Sequence, residues 1–154
     1  MFSFTARKKT VDVQRHIRRM IDLTIPNRGN SASTDRLGNR HNRAIPVIVC
    51  PWKNGKPVSS ECIIAITKDV CDNGVGVILN EPSTVEDVVV GFLVYETTAA
   101  EPWFFRGKAE HTQAVGGGFW LLGIALTEFM NEDWQAELAP LLPFAQQLLP
   151  PHDP

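Results

Sequence analysis

The feature that most constrains the fold of this chain is a series of six short apolar segments between residues 44 and 129, separated by turn residues. The segments are rich in β-branched and aromatic residues, which favour strands, and glycine occurs in several of the turns. No segment between them has the three- and four-residue apolar spacing of a helix. Consecutive short strands without crossover helices are typical of a small antiparallel barrel or sandwich. The predicted strands span residues 44–50, 58–68, 75–79, 86–95, 102–115 and 117–129.

The N-terminal part of the chain has helical periodicity instead. From residue 10 to residue 24, apolar residues recur at four- and three-residue spacing, and arginines occupy the opposite face. Pro26 ends this helix, because the residue before a proline is disfavoured in the α conformation. Residues 27–35 have the composition of a linker. We therefore expect an N-terminal helix and linker over residues 1–34.

Helical periodicity returns after the last predicted strand. Pro140 and Pro143 are poorly tolerated inside a helix, which predicts a short helix, a break and a second helix. Residues 35–130 then form the barrel domain, and residues 131–154 form a C-terminal helical extension. The amphipathic pattern is compatible with packing on the barrel and with a homodimer through the terminal helices, and packing on the barrel is the simpler interpretation. The predicted apolar face comprises Trp134, Leu138, Leu141, Leu142, Ala145, Leu148 and Leu149.

Composition and charge argue against several classes of protein. The 154 residues carry a formal net charge of −2, so we expect no general affinity for nucleic acid or anionic membranes. The longest apolar stretches are far shorter than the roughly 20 residues that span a bilayer, and the N-terminus does not have the pattern of a signal peptide. Cys50, Cys62 and Cys71 match neither a disulfide framework nor a paired metal motif, which favours reduced thiols in a cytoplasmic protein.

The sequence offers little for catalysis. None of the four histidines lies in a nucleophile-elbow or similar context, and no GxSxG occurs. Cys71 lies among acidic residues, whose charge disfavours a nucleophilic thiolate. The glycines at residues 116–118 precede a predicted strand, whereas a phosphate-binding loop precedes a helix. We expect a protein that is not an enzyme and that requires no metal or cofactor.

Basic side chains cluster in the approach to the first strand. Arg36, Arg40 and Arg43 lie within residues 35–47, and one interpretation is that they are solvated linker charges. Arginine is also the side chain whose planar fork matches the oxygens of a phosphate or the O6/N7 edge of guanine, and it stacks on purine faces. Arginines on a segment without predicted secondary structure are suited to hold an anionic nucleotide.

A turn farther along the chain has complementary chemistry. Residues 67–82 contain Asn73 and Gly74, which both tolerate positive φ and therefore predict a reversal between two strands. Asp69 and Cys71 precede that reversal. A carboxylate accepts hydrogen bonds from the N–H edge of guanine, which arginine cannot do. The segment is therefore both a predicted turn and a candidate binding site.

Three motifs in this order resemble those of the PilZ domain, the bacterial cyclic di-GMP receptor module. The first is RxxxR at residues 36–40, which leads into the strand IPVIV. The second is [D/N]xSxxG at residues 69–74, with cysteine in place of the serine. The third is GGGFWLLGIAL at residues 116–126, which is similar to the family's late strand. A further RxxxR at residues 15–19 lies inside the predicted helix and is set aside, so the resemblance covers residues 35–129.

The resemblance implies a mainly β fold, a six-stranded antiparallel PilZ-like β-barrel with flanking N- and C-terminal helices. The arginines would hold the phosphates and guanines of cyclic di-GMP, and the side chains at 69 and 71 would reach a guanine edge. The glycine would let the backbone turn beneath the ligand. The residues implied to bind are Arg36, Arg40, Asp69, Cys71 and Gly74, with Arg43 and Asn73 as secondary candidates.

By the same resemblance, the ligand orders the arginine segment, and the ordered segment contacts a downstream protein partner. Cys71 is a departure, because a thiol is a weaker donor than a hydroxyl. Losing one good hydrogen bond costs about 0.5–1.5 kcal/mol, or roughly three- to twelvefold in affinity. Two alternatives stay open. One is a PilZ-like adaptor that has lost nucleotide binding and acts in protein–protein interaction, and the other is an unrelated small barrel that binds a different partner through its helices.

Overall fold

The structure is a computed structural model that describes residues 4–24, 40–96 and 99–148. Within these residues, one long helix precedes eight strands, and two short helices follow them. The helices are α1 (Phe4–Leu23), α2 (Gln135–Leu138) and α3 (Leu142–Gln146), and 3₁₀ turns span Ser59–Glu61 and Ala139–Leu141. The strands are β1 (His41–Asn42), β2 (Pro46–Lys53), β3 (Lys56–Pro57), β4 (Ile63–Cys71), β5 (Gly74–Leu79), β6 (Asp87–Glu96), β7 (Ala99–Gly116) and β8 (Phe119–Phe129).

Six of the strands close into an antiparallel barrel. Their order around the barrel is β4, β5, β8, β7, β6 and β2, and the pairing of β2 with β4 closes the circle. The two-residue strands β1 and β3 extend this ladder by pairing with β4 and β2. The predicted six-stranded antiparallel barrel with helices on both sides is therefore confirmed, and the closing pair decides for a barrel over a sandwich.

The turns explain where the strands begin and end. Asn54 and Gly55 have φ values of 55° and 77°, the left-handed conformation that a tight hairpin between β2 and β3 requires. The hairpin between β7 and β8 uses three glycines with positive φ, Gly116, Gly117 and Gly118. The strand predicted from residue 58 begins instead at Ile63, because the Ser59–Glu61 segment forms a 3₁₀ turn.

The barrel interior is filled by alternate residues of the six strands, and α1 closes one end of it. Val13, Ile17 and Met20 are each at most 1% exposed and belong to the same apolar cluster as the strands. This end of the core is aromatic, and the ring of His16 stacks on Phe129 at a centroid distance of 3.6 Å. The strand residues of the cluster that are fully buried include Val47, Val70, Val77, Val90, Phe92 and Phe105.

The helix α1 is longer than predicted. It begins at Phe4 instead of residue 10, because residues 4–9 include alanine, arginine and lysines, which have high helix propensity. It ends at Leu23, and the hydroxyl of Thr24 donates a hydrogen bond to the carbonyl of Met20 at 2.8 Å. The predicted linker at residues 27–35 lies outside the described residues.

The C-terminal segment covers the outer side of β2, β6 and β7 as a second core. Leu138, Leu141 and Ala145 pack there against strand residues, and the break at the prolines is confirmed by the 3₁₀ turn between α2 and α3. Leu142 does not belong to the apolar face as predicted, since it is 43% exposed, and Leu149 lies outside the described residues. Both helical segments thus pack on their own barrel, while homodimerisation stays a prediction.

Among the described helices, none combines the length and apolar character needed to cross a membrane.

Candidate functional site

The hairpin between β4 and β5 carries the second sequence motif. Cys71 and Gly74 form its closing pair, so the reversal takes place at Asp72 and Asn73, one residue earlier than predicted. Neither Asn73 nor Gly74 has a positive φ. Glycine is required at position 74 for space, because a Cβ atom there would lie 2.9 Å from the carbonyl oxygen of Ile124. The prediction that Asn73 and Gly74 supply a left-handed turn is therefore wrong.

A bulge in β4 determines which side chains face outward. Thr67 and Val70 are 2% and 0% exposed. Both face the interior although they are three positions apart, which strict alternation forbids. The pairing of β4 with β5 shifts between Thr67 and Asp69, so Lys68 is the extra residue of a bulge. Asp69 and Cys71 flank the buried Val70 and therefore face the outside of the barrel.

Thr67, beside the bulge, also holds the segment that leads into β2 by hydrogen bonds. The hydroxyl of Thr67 donates a hydrogen bond to the carbonyl of Arg43 and accepts one from the N–H of Ile45 at 2.8 Å. Just before these residues, Asn42 pairs with Asp69 across β1 and β4. The end of the arginine segment is thus held beside the outward face of β4.

Arg40 and Asp69 meet on this face. The Nε atom of Arg40 lies 3.7 Å from the Oδ2 atom of Asp69, and their side chains are 49% and 13% exposed. With the Arg40 side chain half exposed and the two atoms at the long end of ion-pair contact, this pair stabilises the fold by about 0–1 kcal/mol. The two groups are therefore easily redirected, and together they present guanidinium donors beside a carboxylate acceptor.

Gly76 makes room for this carboxylate. It pairs with Asp69 across β4 and β5, and a Cβ atom at position 76 would lie 2.8 Å from Oδ1 of Asp69 and 3.2 Å from Cδ1 of Leu121. Gly76 was not among the residues predicted to form the site. A glycine within a strand often marks a close approach of another group, and this signal identifies the position.

Cys71 and Asn73 both form hydrogen bonds at the hairpin. The thiol of Cys71, which is half-buried, donates to the carbonyl of Gly74 at a distance of 3.5 Å. The carbonyl of Asn73 accepts a hydrogen bond of 2.7 Å from the N–H of Leu126, which ties the turn to β8, and its side chain is exposed. Asp69, Cys71, Gly74 and Asn73 therefore lie together at the β4–β5 hairpin.

Arg43 points to a different part of the molecule. Its side chain is buried, and the guanidinium donates to the hydroxyl of Thr24 at 3.0 Å and to the carbonyls of Ile21 and Asn42. A cation at the last carbonyls of a helix is favourable. The structure therefore brings Arg40 to Asp69 but attaches Arg43 to the end of α1. Arg36 lies outside the described residues.

The metal-binding capacity of the described residues is low, since no group of three or more histidine, cysteine or acidic side chains among them lies close enough to hold an ion. All three cysteines are free thiols. The thiol of Cys50 donates to the carbonyl of Val58 at 3.2 Å. Hydrogen bonding with the neighbouring thiol lowers the pKa of Cys62 and, together with burial, raises the pKa of Cys50. This thiol pair lies in and beside the second core, apart from the β4–β5 hairpin.

The similarity of this chain to known proteins is low. A scan against protein-family models found no match, and a search of curated proteins found no similar sequence. Among solved structures, the chain is similar to the Bacillus subtilis inhibitor of motility MotI/DgrA, with a TM-score of 0.48 and 13% sequence identity. The similarity covers 71% of this chain and 50% of the other, so the chain spans about half the length of that protein.

Proposed function

We propose that this protein is a bacterial, cytoplasmic cyclic di-GMP receptor that acts on a partner protein when the ligand orders its arginine segment. The observation that supports the proposal most is the approach of Arg40 to Asp69, at 3.7 Å, on the outer face of the barrel. These residues come from the two motifs that resemble the PilZ signatures, and they are distant in sequence.

The chemistry of the pair suits guanine. The fork of Arg40 would donate to the O6/N7 edge of the base, and the carboxylate of Asp69 would accept from the N–H groups beside O6. Gly76 and Gly74 add no side chains of their own to the face around the carboxylate. Arg36 would supply a second guanidinium for the phosphates, as the motif implies.

The proposed signal depends on the weakness of the ion pair between Arg40 and Asp69 when no ligand is bound. Because the accessible Arg40–Asp69 pair stabilises the fold by at most about 1 kcal/mol, the ligand can replace it at little cost. Residues 35–40 would then close over the base and present a new surface to the partner. The ligand would shift the population of this segment by the free energy with which it favours the closed form.

Isothermal titration calorimetry with cyclic di-GMP tests the proposal. We expect saturable binding, which weakens at least tenfold in Arg36→Ala, Arg40→Ala and Asp69→Asn, because a hydrogen bond to a charged group contributes about 1.5–3 kcal/mol. Lys68→Ala is the matched control, since this exposed neighbour belongs to neither motif. Cyclic di-AMP should bind much more weakly, because adenine offers an amino group where guanine has O6. No heat with the wild-type protein would refute receptor function.

The second candidate function is a protein-interaction adaptor that binds no nucleotide. The observation that favours it is the thiol of Cys71, which donates to Gly74 inside its own hairpin and so leaves position 71 without a free strong donor. The variant Cys71→Ser distinguishes the two functions. A receptor should gain roughly three- to twelvefold in affinity from the better hydrogen bond. An adaptor should show no cyclic di-GMP binding with either residue.

A further inference from the structure

A groove opens in the barrel wall where β4 and β5 diverge. Pairing between these strands stops at Ile66 and Ile78, whereas pairing between β4 and β2 continues to Ile63 and Val49. After Leu79 the chain leaves the barrel wall on its way to β6. Residues 63–65 therefore have a ladder partner on one side in the described chain, and a cavity of about 800 Å³ lies on the other side.

The groove gathers apolar side chains that a folded chain normally buries. Among the exposed large apolar residues of the described chain, Ile63, Ile64, Ile66 and Phe119 all line it, with exposed fractions of 46%, 50%, 43% and 50%. Its floor consists of residues of the barrel core, including Leu122. A contiguous exposed apolar patch of this kind is typical of an interaction site.

The charged residues that line the groove are acidic. Its charged lining residues are Glu61 and Glu81, and both are exposed. Among the described residues that line it, none is a lysine, an arginine or a histidine. An acidic rim around an apolar floor favours an occupant that combines apolar and basic side chains.

We propose that the groove binds an extended segment of a partner protein, which adds as a strand beside residues 63–65. Its apolar side chains would enter the groove, and flanking lysines or arginines would reach Glu61 and Glu81. An extended segment fits better than a helix, because it can pair with the edge of β4 that no described strand occupies, while every second side chain faces the groove. A second copy of this chain fits poorly, since a two-fold contact would bring two acidic rims together.

The groove proposal rests on the proposed function in one respect. That function requires a partner protein, and the groove is the surface that would bind it. Asp69 and residues 63–65 belong to the same strand, with the bulge between them. Partner binding is therefore tested with and without cyclic di-GMP. Peptide binding without any nucleotide effect would support the groove and count against ligand gating. Nucleotide binding without peptide binding would support the receptor and overturn the groove proposal.

The experiment is a selection of short random peptides displayed on phage against the full chain, with counter-selection against an Ile64→Ser/Ile66→Ser variant. The enriched sequences should alternate apolar residues and carry lysine or arginine at their ends. A synthetic copy of the consensus peptide, labelled with fluorescein, should bind by fluorescence anisotropy about tenfold more weakly to the Ile64→Ser/Ile66→Ser variant and to Glu61→Gln/Glu81→Gln. Leu142→Ser is the matched control, because Leu142 is 43% exposed and does not line the groove.

Hydrogen exchange reports the binding mode, since strand addition should protect the amides of residues 63–65. The proposal is overturned if no peptide is enriched, if the consensus lacks basic residues, or if Leu142→Ser weakens binding as much as the groove variants. Sedimentation that shows a dimer, weakened by Ile64→Ser/Ile66→Ser, would assign the groove to a second copy instead.

Discussion

Replacing Gly76 with alanine should weaken ligand binding while leaving the barrel folded. The new Cβ atom would lie 2.8 Å from Oδ1 of Asp69, so the carboxylate must turn away by several tenths of an ångström or more. An off-rotamer side chain costs about 0.5–1.5 kcal/mol, and replacing glycine within a strand recovers about 0.5–1 kcal/mol of backbone entropy. The free energy of unfolding should therefore change by no more than about 1 kcal/mol.

Binding should change far more than stability. A carboxylate turned away from the guanine loses a charged hydrogen bond of about 1.5–3 kcal/mol, which corresponds to roughly a ten- to hundredfold weaker affinity for cyclic di-GMP. Calorimetric titration measures the affinity, and urea denaturation measures the stability of the same preparation. The two measurements together distinguish a damaged site from a damaged fold.

Gly74→Ala is the matched control for Gly76→Ala. Its Cβ atom would lie 2.9 Å from the backbone carbonyl of Ile124, which cannot rotate away as a side chain does. We therefore expect Gly74→Ala to lower the free energy of unfolding by about 1–3 kcal/mol. The reasoning is refuted if Gly76→Ala binds like the wild type, or if it destabilises the barrel as much as Gly74→Ala.

Two further predictions concern side chains away from the binding face. Arg43→Met should lower the free energy of unfolding, measured in urea, by about 2–4 kcal/mol, because its hydrogen bonds to the end of α1 are lost. Calorimetry should show an unchanged nucleotide affinity. A large loss of affinity at unchanged stability would instead make Arg43 a ligand residue. Iodoacetamide should modify Cys62 before Cys50, because the hydrogen bond with Cys50 lowers the pKa of Cys62 and yields thiolate at lower pH. Mass-spectrometric peptide mapping checks the order, and faster modification of Cys50 would contradict it.

Much of the fold follows from local patterns in the sequence. Strand alternation and turn residues predicted the six strands, and Pro140 and Pro143 predicted the break between the last helices. The closure of the barrel was not predictable in the same way, because a sandwich has the same local alternation. Closure depends on the pairing of β2 with β4, which is a property of the assembled ladder.

The candidate site, like the fold, was only partly predictable from the sequence. That Asp69 and Cys71 share a face follows from the two-residue period of a strand. The approach of Arg40 to Asp69 depends on β1, a two-residue strand too short to leave a pattern in the sequence. The attachment of Arg43 to α1 depends on where that helix closes the barrel, and helical periodicity does not specify a docking position.

The bulge at Lys68 has a mechanical consequence for the molecule. A bulge interrupts the ladder and increases the local twist, and Thr67 borders it. The hydroxyl of Thr67 joins this point to the backbone of Arg43 and Ile45, through which the chain passes from Arg40 into β2. The closure proposed above would therefore move the chain ahead of Arg43, while Thr67 and the six-stranded ladder serve as the fixed frame for that movement.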